Sequence, residues 1–189
     1  GSGSTIMGYA GITGSTDVQA HSDDYFAYRS ILQVQTNLVN KTCPVTVAIT
    51  NPVFGINAGS DYTIPKGTAF KLTGSRTDSN TNVLSYCWEE NDDATTVGAT
   101  ASLPSPTKTN GPNFRSFNPV AVPVRYFPAF ASVLNNTLTT TWETVSTVAR
   151  TMNFTLTGRD NVVGGGQTQT DATVITVSGS IGPFAVTSQ

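Results

Sequence analysis

Val83-Leu84-Ser85-Tyr86-Cys87-Trp88 is the stretch on which the fold of this 189-residue chain turns. Apolar side chains at 84, 86 and 88 alternate with 83, 85 and 87, and this period of two puts neighbouring residues on opposite faces of a strand. Leu84, Tyr86 and Trp88 share one face, and Trp88 is large enough to fill the middle of a core. Cys87 points the other way.

The same period recurs on both sides. Before this strand, turn chemistry over Gly59–Gly67 (Asp61, Pro65-Lys66-Gly67) precedes an inward-facing Phe70 and Leu72. Further back, Cys43, Val45, Val47 and Ile49 alternate with Pro44, Thr46, Ala48 and Thr50, predicting a first strand that Asn51-Pro52 ends. After it, Thr77–Asn82 and residues 94–113 being polar turn and loop, Arg150–Asp160 carries Met152, Phe154 and Leu156 on one face. Thr173–Val177 turns Ile175 and Val177 inward, and Thr139–Val148 reads as strand or loop. Gly182-Pro183 redirects the chain into a last short strand or linker. About seven short strands with turns between them predict an all-β fold, an immunoglobulin-like β-sandwich. It is not of the antibody type, because the Cys…Trp…Cys order is absent.

Ahead of the strands lies an N-terminal loop and one α-helix. Ser22-Asp23-Asp24 is a helix-start signal, with Ser at the N-cap and acids where the helix dipole favours them. Ala27, Ile31, Val34 and Leu38 then follow at helical spacing, and the helix should end near Asn37–Asn40. Its apolar stripe needs a partner, either the chain's own strands or a surface outside it.

Charged residues are 12% of the chain and the net charge is −2, with no Lys/Arg run to capture nucleic acid. No apolar run is long enough for a membrane-spanning helix. The Thr-, Ser-, Asn- and Gly-rich composition points to a secreted, extracellular protein. In that setting Cys43 and Cys87 are expected to form a disulfide; the alternative is two buried thiols acting as small hydrophobes. The chain's single histidine, His21, leaves too few ligands for a zinc site of its own.

Two Asp/Asn constellations have calcium's preferred oxygen chemistry. One is the run Glu89-Glu90-Asn91-Asp92-Asp93; the other is Asp160, Asn161 and Asp171, which bracket Gly164-Gly165-Gly166. The alternatives are solvated acids and Asx side chains bonding their own turns. Aromatics interleaved with Arg115 and Arg125, over Asn113–Phe117 and Val122–Phe127, suit either a carbohydrate or peptide platform or rings packed under arginines.

Ser4-Thr5-Ile6-Met7-Gly8-Tyr9-Ala10-Gly11 is too apolar and aromatic for a flexible leader. It resembles the Met-turn of metzincin zinc proteases, and with Val18-Gln19 and Ser22–Phe26 it is similar to the end of the catalytic domain in the reprolysin-like bacterial group. The resemblance gives Met7 the place of the turn methionine and Tyr9 that of a tyrosine near the zinc. A second resemblance, to the domain that follows the catalytic domain in those enzymes, is carried by six stretches. They are Ile64–Phe70, Leu84–Glu89, Phe114–Phe117, Arg125–Pro128, Arg159-Asp160-Asn161 and Gly182-Pro183-Phe184. Together the resemblances imply residues 1–41 as the tail of a metzincin-like catalytic domain and 42–189 as an accessory Ig-like domain. They also imply zinc in the parent enzyme, an upstream protease domain as partner, and protein or glycan substrate. His-Glu-x-x-His is absent, so this chain is expected to hold no zinc of its own, calcium remaining open, and to be inactive alone.

Overall fold

A computed structural model describes residues 3–77, 81–94 and 102–187. The centre of the turn expected at Thr77–Asn82 and part of the loop expected over 94–113 lie outside these residues. Among the described residues the fold is mostly strands in several sheets, with two α-helices and a short 3-10 turn at Gly14–Thr16. Helix α1 (Tyr28–Leu38) comes first, followed by β1 (Ile56–Asn57), β2 (Tyr62–Pro65), β3 (Phe70–Thr73) and β4 (Ser75–Arg76). Then come β5 (Ser85–Glu90), β6 (Val124–Phe127), the short α2 (Phe130–Leu134), β7 (Arg150–Arg159) and β8 (Thr168–Ser178).

Four strands make the main sheet, in the order β2-β8-β7-β5, with β1-β4 and β3-β6 as two smaller pairs. The β7–β8 hairpin and the β5–β7 pair are antiparallel, whereas β2 runs parallel to β8, Tyr62 opposite Ile175. Alternation decides which side chains enter the core. Tyr86 and Trp88 from β5, Met152, Phe154 and Leu156 from β7, and Ile175 and Val177 from β8 project into one core with Leu72, Phe114 and Phe127. Phe70 stacks on Phe127 at 5.0 Å between centroids, and Phe154 meets Phe127 edge-on at 4.8 Å. Burying such rings supplies most of the favourable free energy, about 25 cal/mol per Å² of apolar surface. Gly74, between β3 and β4, lies so close that an added Cβ would fall 2.1 Å from Leu156 Cδ2 and 2.9 Å from the Asn57 carbonyl.

Three expectations are corrected. Cys43–Ile49 forms no strand; it runs extended and exposed, with Val45 and Val47 in solvent. Alternation makes a strand only where a sheet edge offers its backbone partners. The helix starts at Tyr28 rather than after Ser22, because Asp23 N–H is taken by the Ser4 carbonyl at 2.7 Å and Tyr25 is buried. The expected Cys43–Cys87 disulfide is not formed: Cys43 is an exposed free thiol and Cys87 a buried one. With 42–50 standing off the sheet, nothing brings the two sulfurs together.

Candidate functional site

The acidic run at the end of β5 is a set of staples. Glu89 and Asp93 turn toward the N-terminal segment, Glu90 and Asp92 toward the loops and β7. Glu89 is 4% exposed. Its Oε2 accepts the Tyr28 N–H at 2.7 Å, and its Oε1 accepts the Ser116 hydroxyl at 3.0 Å. Ala27, the N-cap of α1, contributes no side-chain cap, so a distant strand supplies the acceptor that the first turn lacks. Glu90 accepts the N–H groups of Asn113 and Phe114 at 2.7 and 2.8 Å, and Asp92 accepts the Asn153 amide at 2.6 Å. Both acids meet the buried Arg150 guanidinium at 3.4 and 3.3 Å. Burial pushes the Glu90 carboxyl well up.

Around Glu89 the N-terminal segment is fastened to the outer face of β5 and β7. The Tyr25 hydroxyl is hydrogen-bonded to Ser116 Oγ, and Arg159 donates to the Phe26 carbonyl at 2.7 Å with its guanidinium over the Tyr25 ring. Arg115 donates to the Gln19 side chain, and Ser4 donates to the Ser116 carbonyl at 3.3 Å. Cys87 lies beneath, its Sγ 3.3 Å from the Phe117 carbonyl. Burial, reinforced by Glu89, pushes its thiol up to about 12, which suppresses the thiolate that nucleophilic chemistry needs. This arrangement can hold an element in place; it offers no activated nucleophile.

A cleft of about 240 Å³ opens beside this seam, lined among others by Trp88, Phe117, Val120, Tyr126 and Phe130. Arg125 forms its floor. That guanidinium lies between the Phe117 and Phe127 rings at 4.7 and 4.5 Å, donates to the Trp88 carbonyl at 2.6 Å, and pairs with buried Glu143 at 2.9 Å. The interleaved aromatics are thus largely packed under an arginine, as Phe114 and Phe127 in the core show, with Tyr126 and Phe130 tilted against each other at 4.6 Å on the open side.

The residues expected from the sequence do not converge. Met7 is 63% exposed and Tyr9 71%, on a tight turn closed by bonds between Gly3 and Gly8 and between Gly8 and Thr5. Asp160, at the end of β7, accepts the Gln167 N–H at 2.7 Å and an Asn51 amide. Burial pushes its carboxyl up, but these bonds outweigh it and bring the group below its ordinary range. Asp171, within β8, accepts the Ala58 N–H at 2.8 Å, and Asn161 donates to Ser85 Oγ. Among the described residues no group of three His, Cys, Asp or Glu side chains is placed to hold a metal. No helix among them is long and apolar enough to cross a membrane. Sequence reasoning missed Tyr28 and Ser116 as partners of Glu89, and Tyr25 and Arg159 as members of the surrounding seam; only the odd placement of two glutamates at the end of an apolar strand hinted at a buried role.

Compared with protein-family models, curated proteins and solved structures, the chain matches none.

Proposed function

We propose that this chain is a non-catalytic accessory domain of a secreted zinc metallopeptidase. In this reading residues 1–41 are the end of the preceding protease domain, and 42–189 form an Ig-like sandwich that stabilises or positions it, or helps present protein substrate. One observation carries the reading. The segment before α1 is fastened to the strands by a buried polar seam, yet α1 itself has no buried residue. Val34 and Leu38 of its apolar stripe stand half exposed, as do Ile6, Met7 and Tyr9 of the turn before it. A helix whose apolar face buries no side chain among the described residues fits a face that another body covers. A four-stranded sheet and two strand pairs that share an alternating core support the sandwich, and the resemblances of Ser4–Gly11 and of the stretches from Ile64 to Phe184 supply the family.

The test is the parental reading frame together with an assay. His-Glu-x-x-His-x-x-Gly-x-x-His is expected upstream of Gly1, and the chain alone should not cleave casein with zinc added. Absence of the motif upstream, or zinc-dependent cleavage by this chain, overturns the reading. The open aromatic cleft favours a second reading, a free-standing adhesion or carbohydrate-binding module. Saturable quenching of Trp88 fluorescence by oligosaccharides, abolished by Tyr126→Ala, would select it.

A further inference from the structure

Glu89 is a buried carboxyl group with no ion pair among the described residues. Its two oxygens hold one N–H and one hydroxyl, from Tyr28 and Ser116. The charged and titratable groups that face it are Tyr25 from the N-terminal segment, Cys87 from β5, Arg125 from β6 and Arg159 from β7. Neither arginine is hydrogen-bonded to Glu89: Arg125 pairs with Glu143, and Arg159 donates from Nη2 to the Phe26 carbonyl while its Nη1 is buried without a partner among the described residues. Both therefore act on Glu89 only through space and favour its charged form. Tyr25 and Cys87 are both pushed up by burial and stay neutral through the physiological range. An ionised carboxylate taken from water without a paired cation is costly, and the group relieves the cost by keeping its proton.

We propose that the docking of residues 4–28 onto β5 and β7 is a proton-linked latch, in which closing the segment over Glu89 takes up one proton. The segment, and with it the orientation of α1, is then held most tightly in acid and loosened as the pH rises. Tyr25 and Tyr28 are the groups that shut Glu89 in, so lifting the segment returns the carboxyl to water.

The direction follows from linkage. In the lifted state Glu89 titrates as an ordinary glutamate, near about 4.3; in the docked state burial, larger than the opposing bonds and the two arginines, raises it. Below the ordinary value both states are protonated and docking is at full strength. Between the two values docking weakens by up to about tenfold per pH unit, and above the docked value the loss is complete. The latch does not depend on what α1 docks against, so it stands or falls separately from the metallopeptidase reading.

Hydrogen exchange of the full chain from pH 5 to 9, corrected for the intrinsic exchange rate, tests it. Protection over residues 20–38 should fall with rising pH relative to β7 and β8, with a slope approaching about tenfold per unit over part of the range. Glu89→Gln, whose amide oxygen can accept the Tyr28 N–H while its NH2 donates to the Ser116 hydroxyl oxygen, has no titrating group and should make that protection independent of pH. A flat profile in the parent protein, or an unchanged slope in the variant, overturns the proposal. Should the variant fail to fold, carbon-13 NMR titration of the parent protein decides. A Glu89 carboxyl titrating above the ordinary glutamate range supports the latch, and one titrating within it overturns it.

Discussion

Glu89 Oε2 accepts the N–H of Tyr28, sixty-one residues earlier in the chain, at 2.7 Å. That bond caps α1 from a strand of the main sheet and ties the N-terminal segment to the sheet's outer face. Truncating Glu89 should therefore be felt at a distance. Glu89→Ala leaves the Tyr28 N–H and the Ser116 hydroxyl without their acceptor, a loss of about 1–3 kcal/mol. Denaturant titration should show it, together with faster tryptic cleavage at Arg29, which is exposed on α1. Unchanged stability and cleavage would contradict the stapling role.

Lys41 begins the exposed stretch that leads to β1. A lysine-specific protease should nick there first, since Lys66 is held by its N–H to the Ile181 carbonyl and its ammonium to the Gly179 carbonyl, Lys71 lies in β3, and the Lys108 ammonium is held by the Ser102, Leu103 and Pro112 carbonyls. The two fragments should co-elute in size-exclusion chromatography, held by the seam around Glu89, and separate in denaturant. Separation under native conditions would show that the seam is too weak to join them.

The two thiols should differ sharply in reactivity. Cys43 is exposed, while Cys87 is buried and its thiol raised to about 12. Thiol titration of the unreduced protein should count one fast group in the native state and two after denaturation. No thiol in the denatured, unreduced protein would restore the disulfide.

Two glycines separate crowding from backbone strain. Gly164 has φ +74° with open space around it, so Gly164→Ala costs only the left-handed conformation, about 1–2 kcal/mol. Gly74→Ala drives a methyl into Leu156 and the Asn57 carbonyl, and should cost about 1–3 kcal/mol through displaced core packing. Thermal unfolding should also show lost near-ultraviolet signal from Trp88 in the Gly74 variant alone, since Trp88 is the ring beside Gly74.

Asp160 gives a pH dependence of opposite sign to that of Glu89. Its carboxyl sits below its ordinary range in the folded protein, so its contribution is present above the unfolded value of about 3.9 and lost as pH falls through the folded value. Stability measured from pH 6 down to pH 2 should fall less steeply in Asp160→Asn than in the parent protein. Equal acid slopes would remove Asp160 from the account.

Much of the core was legible in the sequence. Leu84, Tyr86 and Trp88, then Met152, Phe154 and Leu156, then Ile175 and Val177 all face inward as their alternation requires. A strand's period of two is a property of local backbone geometry, and a side chain's face follows from its place in the run. The same rule misread Cys43–Ile49, where the pattern is present and the sheet edge is not.

The fate of the polar groups belonged to the tertiary structure. In sequence, Glu89 to Asp93 is one acidic run with nothing to distinguish its members. In the fold Glu89 caps a helix, Glu90 holds a loop against Arg150, Asp92 binds Asn153, and Asp93 reaches Arg29 at 3.9 Å in solvent. Apolar residues are sorted by a local period and a non-directional force. A carboxylate is sorted by which donors meet it, and for Glu89 those come from Tyr28 and Ser116, far away on either side in the chain.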